Sequence, residues 1–99
     1  MGKMFRLYKG GVFLGERPRA EVKQLAEANE EFGYRLLTYD DGDIAIAVLE
    51  KDPIKLKLIE ERIADFKRVI REAKSPNTRA SALRKCRDTL INLITGRSK

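Results

Sequence analysis

The stretch from residue 52 to residue 73 constrains the fold of this 99-residue chain most strongly. Its apolar residues recur at steps of three and four, which places one apolar stripe along a helix of about six turns. Asp52 suits the N-cap, where a carboxylate accepts free N–H groups, and Pro53 suits the first helical position, where its missing donor costs nothing. The stripe consists of Leu56, Ile59, Ile63, Phe66, Ile70 and Ala73. Another element, or another chain, must cover it.

A second amphipathic helix follows almost at once. Ser75 and Pro76 break the backbone and start the new helix as cap and first residue, and Gly96 ends it. Because the link between the two helices is so short, they should form an antiparallel hairpin over residues 53–96. The apolar side of the second helix carries Ala80, Leu83, Cys86, Leu90, Leu93 and Ile94.

The first fifty residues show extended runs around one helix. Gly10 and Gly11 fit a two-residue hairpin turn, and the pair Asp41-Gly42 marks a second hairpin. Pro18 suits the first turn of a helix that ends at Gly33. The predicted elements are strands at residues 4–8, 12–14, 34–39 and 44–50, and a helix at residues 18–32.

This order of elements predicts an α+β fold in a single domain, residues 1–99. Residues 1–50 form a four-stranded antiparallel sheet of ββαββ order, and residues 53–96 form the helical hairpin. The run from residue 44 to residue 50 is apolar at odd and even positions alike, so both faces of that strand should be buried. One face can take the helix at 18–32, and the other needs the C-terminal helices or a second protomer.

Two helices alone leave much apolar surface uncovered, which favours a homodimer formed through the helical hairpin. The predicted interface residues are Leu56, Ile59, Ile63, Phe66, Ile70, Leu83 and Leu90.

The composition argues against catalysis and against a metal or cofactor site. The chain has no His, the commonest general base and a common zinc ligand. The single Cys86 lies on an apolar helix face, where a buried hydrophobe is favoured over a nucleophile, and it forms no internal disulfide. Asp40, Asp41 and Asp43 match no calcium loop and are typical of a turn. We therefore expect no enzyme activity, no metal and no cofactor.

The chain also shows no signal-peptide pattern and no apolar run of about 20 residues, which predicts a cytoplasmic protein that does not enter membranes.

The charge of the chain is distributed unevenly. The net charge is +6 overall, but residues 67–99 carry ten basic and two acidic side chains, whereas residues 20–66 carry six basic and twelve acidic ones. A cationic C-terminal third suits contacts with the phosphates of DNA or RNA. The predicted phosphate-binding residues are Lys67, Arg68, Arg71, Lys74, Arg79, Arg84 and Arg87. This hypothesis describes a small nucleic-acid-associated regulatory or accessory protein.

Two alternatives stay open at this point. The chain could be a protein-interaction or homo-oligomerisation module without nucleic-acid binding, in which the acidic middle and basic end pair with each other or with a host protein. Alternatively, Arg6 and Tyr8 on one strand and Arg35 and Tyr39 on another could form an open sheet face on which bases stack.

Overall fold

The computed structural model describes residues 3–96 of the chain. The basic tail at residues 97–99, which contributes to the charge of the C-terminal third, lies outside the described residues. The elements are β1 (Met4–Lys9), β2 (Val12–Pro18), α1 (Arg19–Glu30), β3 (Arg35–Asp40), β4 (Ala45–Glu50), α2 (Pro53–Glu72) and α3 (Pro76–Thr95). The α+β class is thus confirmed. None of the helices between residues 3 and 96 is long and apolar enough to cross a membrane.

The four strands form a mixed sheet, so the prediction of a purely antiparallel sheet was wrong. The strand order is β2-β1-β4-β3, and the two central strands, β1 and β4, run parallel. Each hairpin is antiparallel within itself. The parallel pair follows from the path of α1, which runs back along the sheet between the two hairpins. As a result β3 starts at the same end of the sheet as β2, and these two strands point the same way. Their partners β1 and β4 therefore also point the same way, and they meet at the centre of the sheet.

The first hairpin extends further than its sequence pattern predicts. Gly10 and Gly11 have positive φ angles of 58° and 85° and join Lys9 to Val12 in a two-residue turn, as predicted. However, β2 does not end at Gly15. The register shifts there, and Gly15 takes a φ of 93° in a bulge, after which β2 pairs with β1 as far as Pro18.

Helices cover both faces of the sheet, so the fold has three layers. Beneath α1 lies a cluster formed by Phe5, Leu7, Val22, Ala45, Ala47 and Leu49. Beneath α2 and α3 lies the larger cluster, formed by Tyr8, Tyr39, Ile46, Val48, Ile59, Ile63, Phe66, Cys86, Leu90 and Ile94. Every residue of β4 is buried, as its two-sided apolar pattern predicted.

The apolar stripes of α2 and α3 face the chain's own sheet and each other. Of the seven residues predicted to form a dimer interface, six are buried within one chain and Leu56 is half-buried. The caps follow the sequence, since Asp52 accepts the Ile54 N–H at 3.0 Å and Ser75 accepts the Thr78 N–H at 3.1 Å. Intramolecular burial removes the uncovered surface from which a helix-mediated dimer was inferred, and dimerisation itself stays a prediction.

Replacing Ile59 with Ala should lower the free energy of unfolding by about 3 kcal/mol, because removing this fully buried side chain leaves a cavity in the cluster between α2 and the sheet. The matched control is Leu58→Ala on the same helix turn, whose side chain is 46% exposed and should contribute less than about 1 kcal/mol. Urea titration of both variants checks this. Equal losses would contradict the described orientation of α2.

Candidate nucleic-acid interface

The helical hairpin extends past one end of the sheet. The C-terminal end of α3 lies against the β1–β2 turn, where a Cβ added to Gly11 would be 3.2 Å from the Ile94 carbonyl oxygen. The middle of α3 lies at the opposite end of the sheet, where Arg87 contacts Asp41. Since Arg87 comes eleven residues after Pro76, about 16 Å of α3 lies beyond that contact.

We call residues 67–79 the hairpin tip. Ile70 in the tip and Leu83, four residues past it on α3, are buried without joining either sheet-facing cluster, which indicates that the two helices pack on each other here. Five exposed cations and a single carboxylate, that of Glu72, lie within it, which makes a local charge of +4. The cations are Lys67, Arg68, Arg71, Lys74 and Arg79.

The cations of the tip are mostly free to meet an anion. Arg68 is paired with Asp65 at 3.3 Å, but both side chains are more than half exposed and such pairs contribute little. Lys67 and Arg71 are four residues apart on α2 and therefore share one face of the helix. Within residues 3–96, no carboxylate lies within ion-pair distance of Lys67, Arg71, Lys74 or Arg79.

Arg79 also has a structural contact. Its Nη1 donates to the carbonyl oxygen of Ile70 at 3.4 Å, in the last turn of α2, where unpaired carbonyls favour a cation. The other guanidinium donors remain available at the exposed tip. Arg84 is exposed on α3, five residues after Arg79 and thus about 7.5 Å further along the helix axis.

The structure places Arg87 apart from the other predicted phosphate-binding residues. Its Nε donates to Asp41 Oδ2 at 2.7 Å, and its Nη2 donates to Asp41 Oδ1 at 3.1 Å and to Asp43 Oδ2 at 3.3 Å. The Asp41 side chain is only 1% exposed, and it also accepts the Asp43 and Ile44 N–H groups. Arg87 therefore fastens α3 to the β3–β4 turn, and two carboxylates already neutralise its charge.

Electrostatics at this contact support its structural role. Burial by itself would raise the pKa of Asp41, but hydrogen bonds from Arg87 and from two backbone N–H groups outweigh burial and hold that pKa below its usual range. The same hydrogen bond from Arg87 to Asp41 raises the pKa of Arg87. Burial, followed by the negative charge of Asp41, raises the pKa values of Tyr39 and Cys86, so the Cys86 thiol stays protonated.

The sheet face proposed for base stacking is covered. Tyr8 and Tyr39 are each 2% exposed beneath α2 and α3, so neither ring is available to a base. What the strand pattern did not reveal is that Phe13, on the edge strand β2, is 46% exposed and carries the Arg6 guanidinium 4.8 Å above its ring. In the described part of the chain, no group of three or more metal-ligating side chains comes together.

Comparison with protein-family models, with curated proteins and with solved structures finds no match to this chain.

Replacing Asp41 with Asn should destabilise the fold by about 2 kcal/mol, since it weakens charge-assisted hydrogen bonds to a buried acceptor. Because the pKa of Asp41 is lowered by folding, its contribution is present above the unfolded-state pKa and is lost as pH falls. The difference between wild type and variant should therefore shrink below about pH 4. Thermal or urea unfolding across this pH range provides the measurement.

The matched control is Asp65→Asn, which removes the same charge from the exposed pair with Arg68. It should change stability by less than about 0.5 kcal/mol. If both variants lose a similar amount of stability, the buried Asp41–Arg87 contact stabilises the fold no more than an exposed ion pair does.

Proposed function

We propose that this protein binds nucleic acid through the phosphate backbone, with the hairpin tip as its contact surface. The observation that carries the proposal is the separation of charges around α2 and α3. Arg87 is held by Asp41 and Asp43, whereas the tip cations project beyond the sheet beside one carboxylate. Cations in this arrangement displace the counterions of a polyanion without reading its sequence.

The proposed contact residues are the tip cations and Arg84, and they omit Arg87. Lys67 and Arg71 lie one turn apart on α2, Lys74 lies in the link, and Arg79 lies in the first turn of α3, so the tip presents its charges around a convex end. A convex cationic end fits a groove or a backbone better than it fits a small ligand, which needs a concave pocket.

The role proposed is that of an accessory or regulatory binder. Phosphate contacts alone give affinity that depends strongly on salt and little on base sequence. Sequence preference would have to come from groups that reach base edges, among which the tip offers its arginines and the exposed Asn77.

Reversing Lys67 and Arg71 to Glu should weaken binding to a fluorescently labelled 25-base-pair DNA or a single-stranded RNA of similar length. Fluorescence anisotropy at several salt concentrations measures the affinity. Two phosphate contacts removed should reduce the slope of log K against log salt by about 2, and affinity at low salt should fall by about 100-fold or more.

The matched control is the double variant Lys23→Glu and Lys57→Glu. It makes the same change in net charge, at exposed positions away from the tip. This control should lose affinity only slightly, because it changes the overall electrostatic potential of the protein and leaves the cations of the tip in place. If both double variants lose affinity equally, or if the wild type binds neither probe at low salt, the proposed surface is wrong.

A further inference from the structure

The two edges of the sheet are unlike each other. The edge strands are β2 and β3. The Asp41 N–H donates to the Ile44 carbonyl at 3.2 Å, which sets the alternation of hydrogen bonds along the β3–β4 hairpin. By that alternation, Leu36 and Thr38 direct their N–H and C=O groups away from β4, toward the free edge. These groups are positioned to accept a further strand.

A groove runs along this free edge. Its volume is about 920 Å³, and it lies between α1 and α2. Leu36 and Leu37 form its half-buried floor, one turned toward each helical layer. Ala26 of α1 and Leu56 of α2 add apolar surface on the two walls. The charged side chains that line the groove are of both signs: the carboxylates are Glu27, Glu30 and Glu60, and the cations are Lys23, Arg35, Lys51 and Lys57.

The opposite edge carries the complementary feature. Three consecutive apolar residues at the start of β2 are exposed: Val12 by 60%, Phe13 by 46% and Leu14 by 38%. The bulge at Gly15 follows directly and interrupts the regular edge, so the open apolar segment is confined to these three residues. A short apolar edge that no helix covers is suited to pairing with another edge.

We propose that residues 12–14 of one copy dock in the groove beside β3 of a second copy. The new strand would extend the sheet by main-chain hydrogen bonds to Leu36 and Thr38, with side chains filling the groove. When the sheets are joined with their helical layers aligned, β2 runs parallel to β3, because the two strands already point the same way within one sheet.

The side chains match in this arrangement. Val12 pairs with Lys9 on the α1 side of the sheet, and Phe13 packs on Tyr8 on the α2–α3 side, with ring centroids 5.2 Å apart. Val12 and Leu14 therefore meet the wall formed by α1, and Phe13 meets the wall formed by α2. Arg6, stacked on Phe13, arrives on the side of the groove that carries both Lys57 and Glu60, and Glu60 is the carboxylate with which its guanidinium would pair.

The groove favours β2 over a second β3. Helices flank the β3 edge on both faces, so two β3 edges brought together would bring the α1 and α2 walls of both copies into collision. The uncovered segment of β2 can enter as a single strand. The contact is therefore heterologous, and each copy in a pair keeps one free edge, so that assembly continues unless it closes into a ring.

Two variants test this proposal without disturbing the core. Val12→Lys with Leu14→Lys blocks the β2 segment, since edge lysines oppose strand pairing. Thr38→Pro blocks the groove edge, since it removes an N–H that faces away from β4. The matched controls are Val69→Lys, at another exposed apolar position, and Thr38→Ala. Circular dichroism verifies that each variant is folded.

Sedimentation velocity from about 10 μM to about 1 mM brackets a weak contact of this size. The wild type and both controls should show a sedimentation coefficient that rises with concentration, and each blocked variant alone should stay at the monomer value. An equimolar mixture of the two blocked variants should form a 1:1 dimer and nothing larger, because each retains the surface that the other lacks.

Three results would overturn the proposal: a wild type that stays monomeric throughout, a blocked variant that still associates alone, or a mixture that stays monomeric. The Lys67→Glu, Arg71→Glu variant should associate like the wild type in the same experiment, so failure of the nucleic-acid proposal leaves this result unaffected.

Discussion

Burial of β4 on both of its faces is the constraint on which the fold depends. All six of its residues are buried, including the carboxylate of Glu50 at its end. A strand of this kind needs two covers, which α1 and the α2–α3 hairpin provide. Glu50 links the strand to one of them, because its Oε2 accepts the Asp52 N–H at 3.2 Å and its Oε1 lies 3.6 Å from the ammonium of Lys55 in the first turn of α2.

Most of the fold could be predicted from local patterns, and the error in sheet type has a clear cause. Turn glycines and alternation specify pairing within each hairpin, but no local signal says which strands of two hairpins meet. The continuous apolar run of β4 is itself typical of a parallel strand buried on both faces. This pattern correctly predicts the double burial, and it is also consistent with the parallel neighbour that β1 provides.

The candidate site was predictable only in part. Charge counts locate the cationic hairpin, but they do not separate free cations from paired ones. Arg87 binds Asp41, which lies 46 residues earlier in the chain. The residues around Asp41 indicate a turn, and nothing in them indicates a contact with α3. Likewise, helical spacing correctly located the apolar stripes of α2 and α3. How much of each stripe the sheet covers depends on how the helices pack on it, which helical spacing does not specify. The dimer was predicted because the apolar stripes of two helices would be left uncovered. That reason no longer applies, since α2 and α3 bury these stripes against the chain's own sheet and against each other.

The central β1–β4 pair has a consequence for how the chain reaches its native state. Arg6 lies opposite Ile46, so this pairing closes a loop of about 40 residues, whereas each hairpin closes over a few. Hairpins and helices form on the microsecond scale, and joining distant segments carries most of the entropy cost. The two halves of the sheet should therefore arise as separate local units, and the barrier to folding should lie at the step that brings them together.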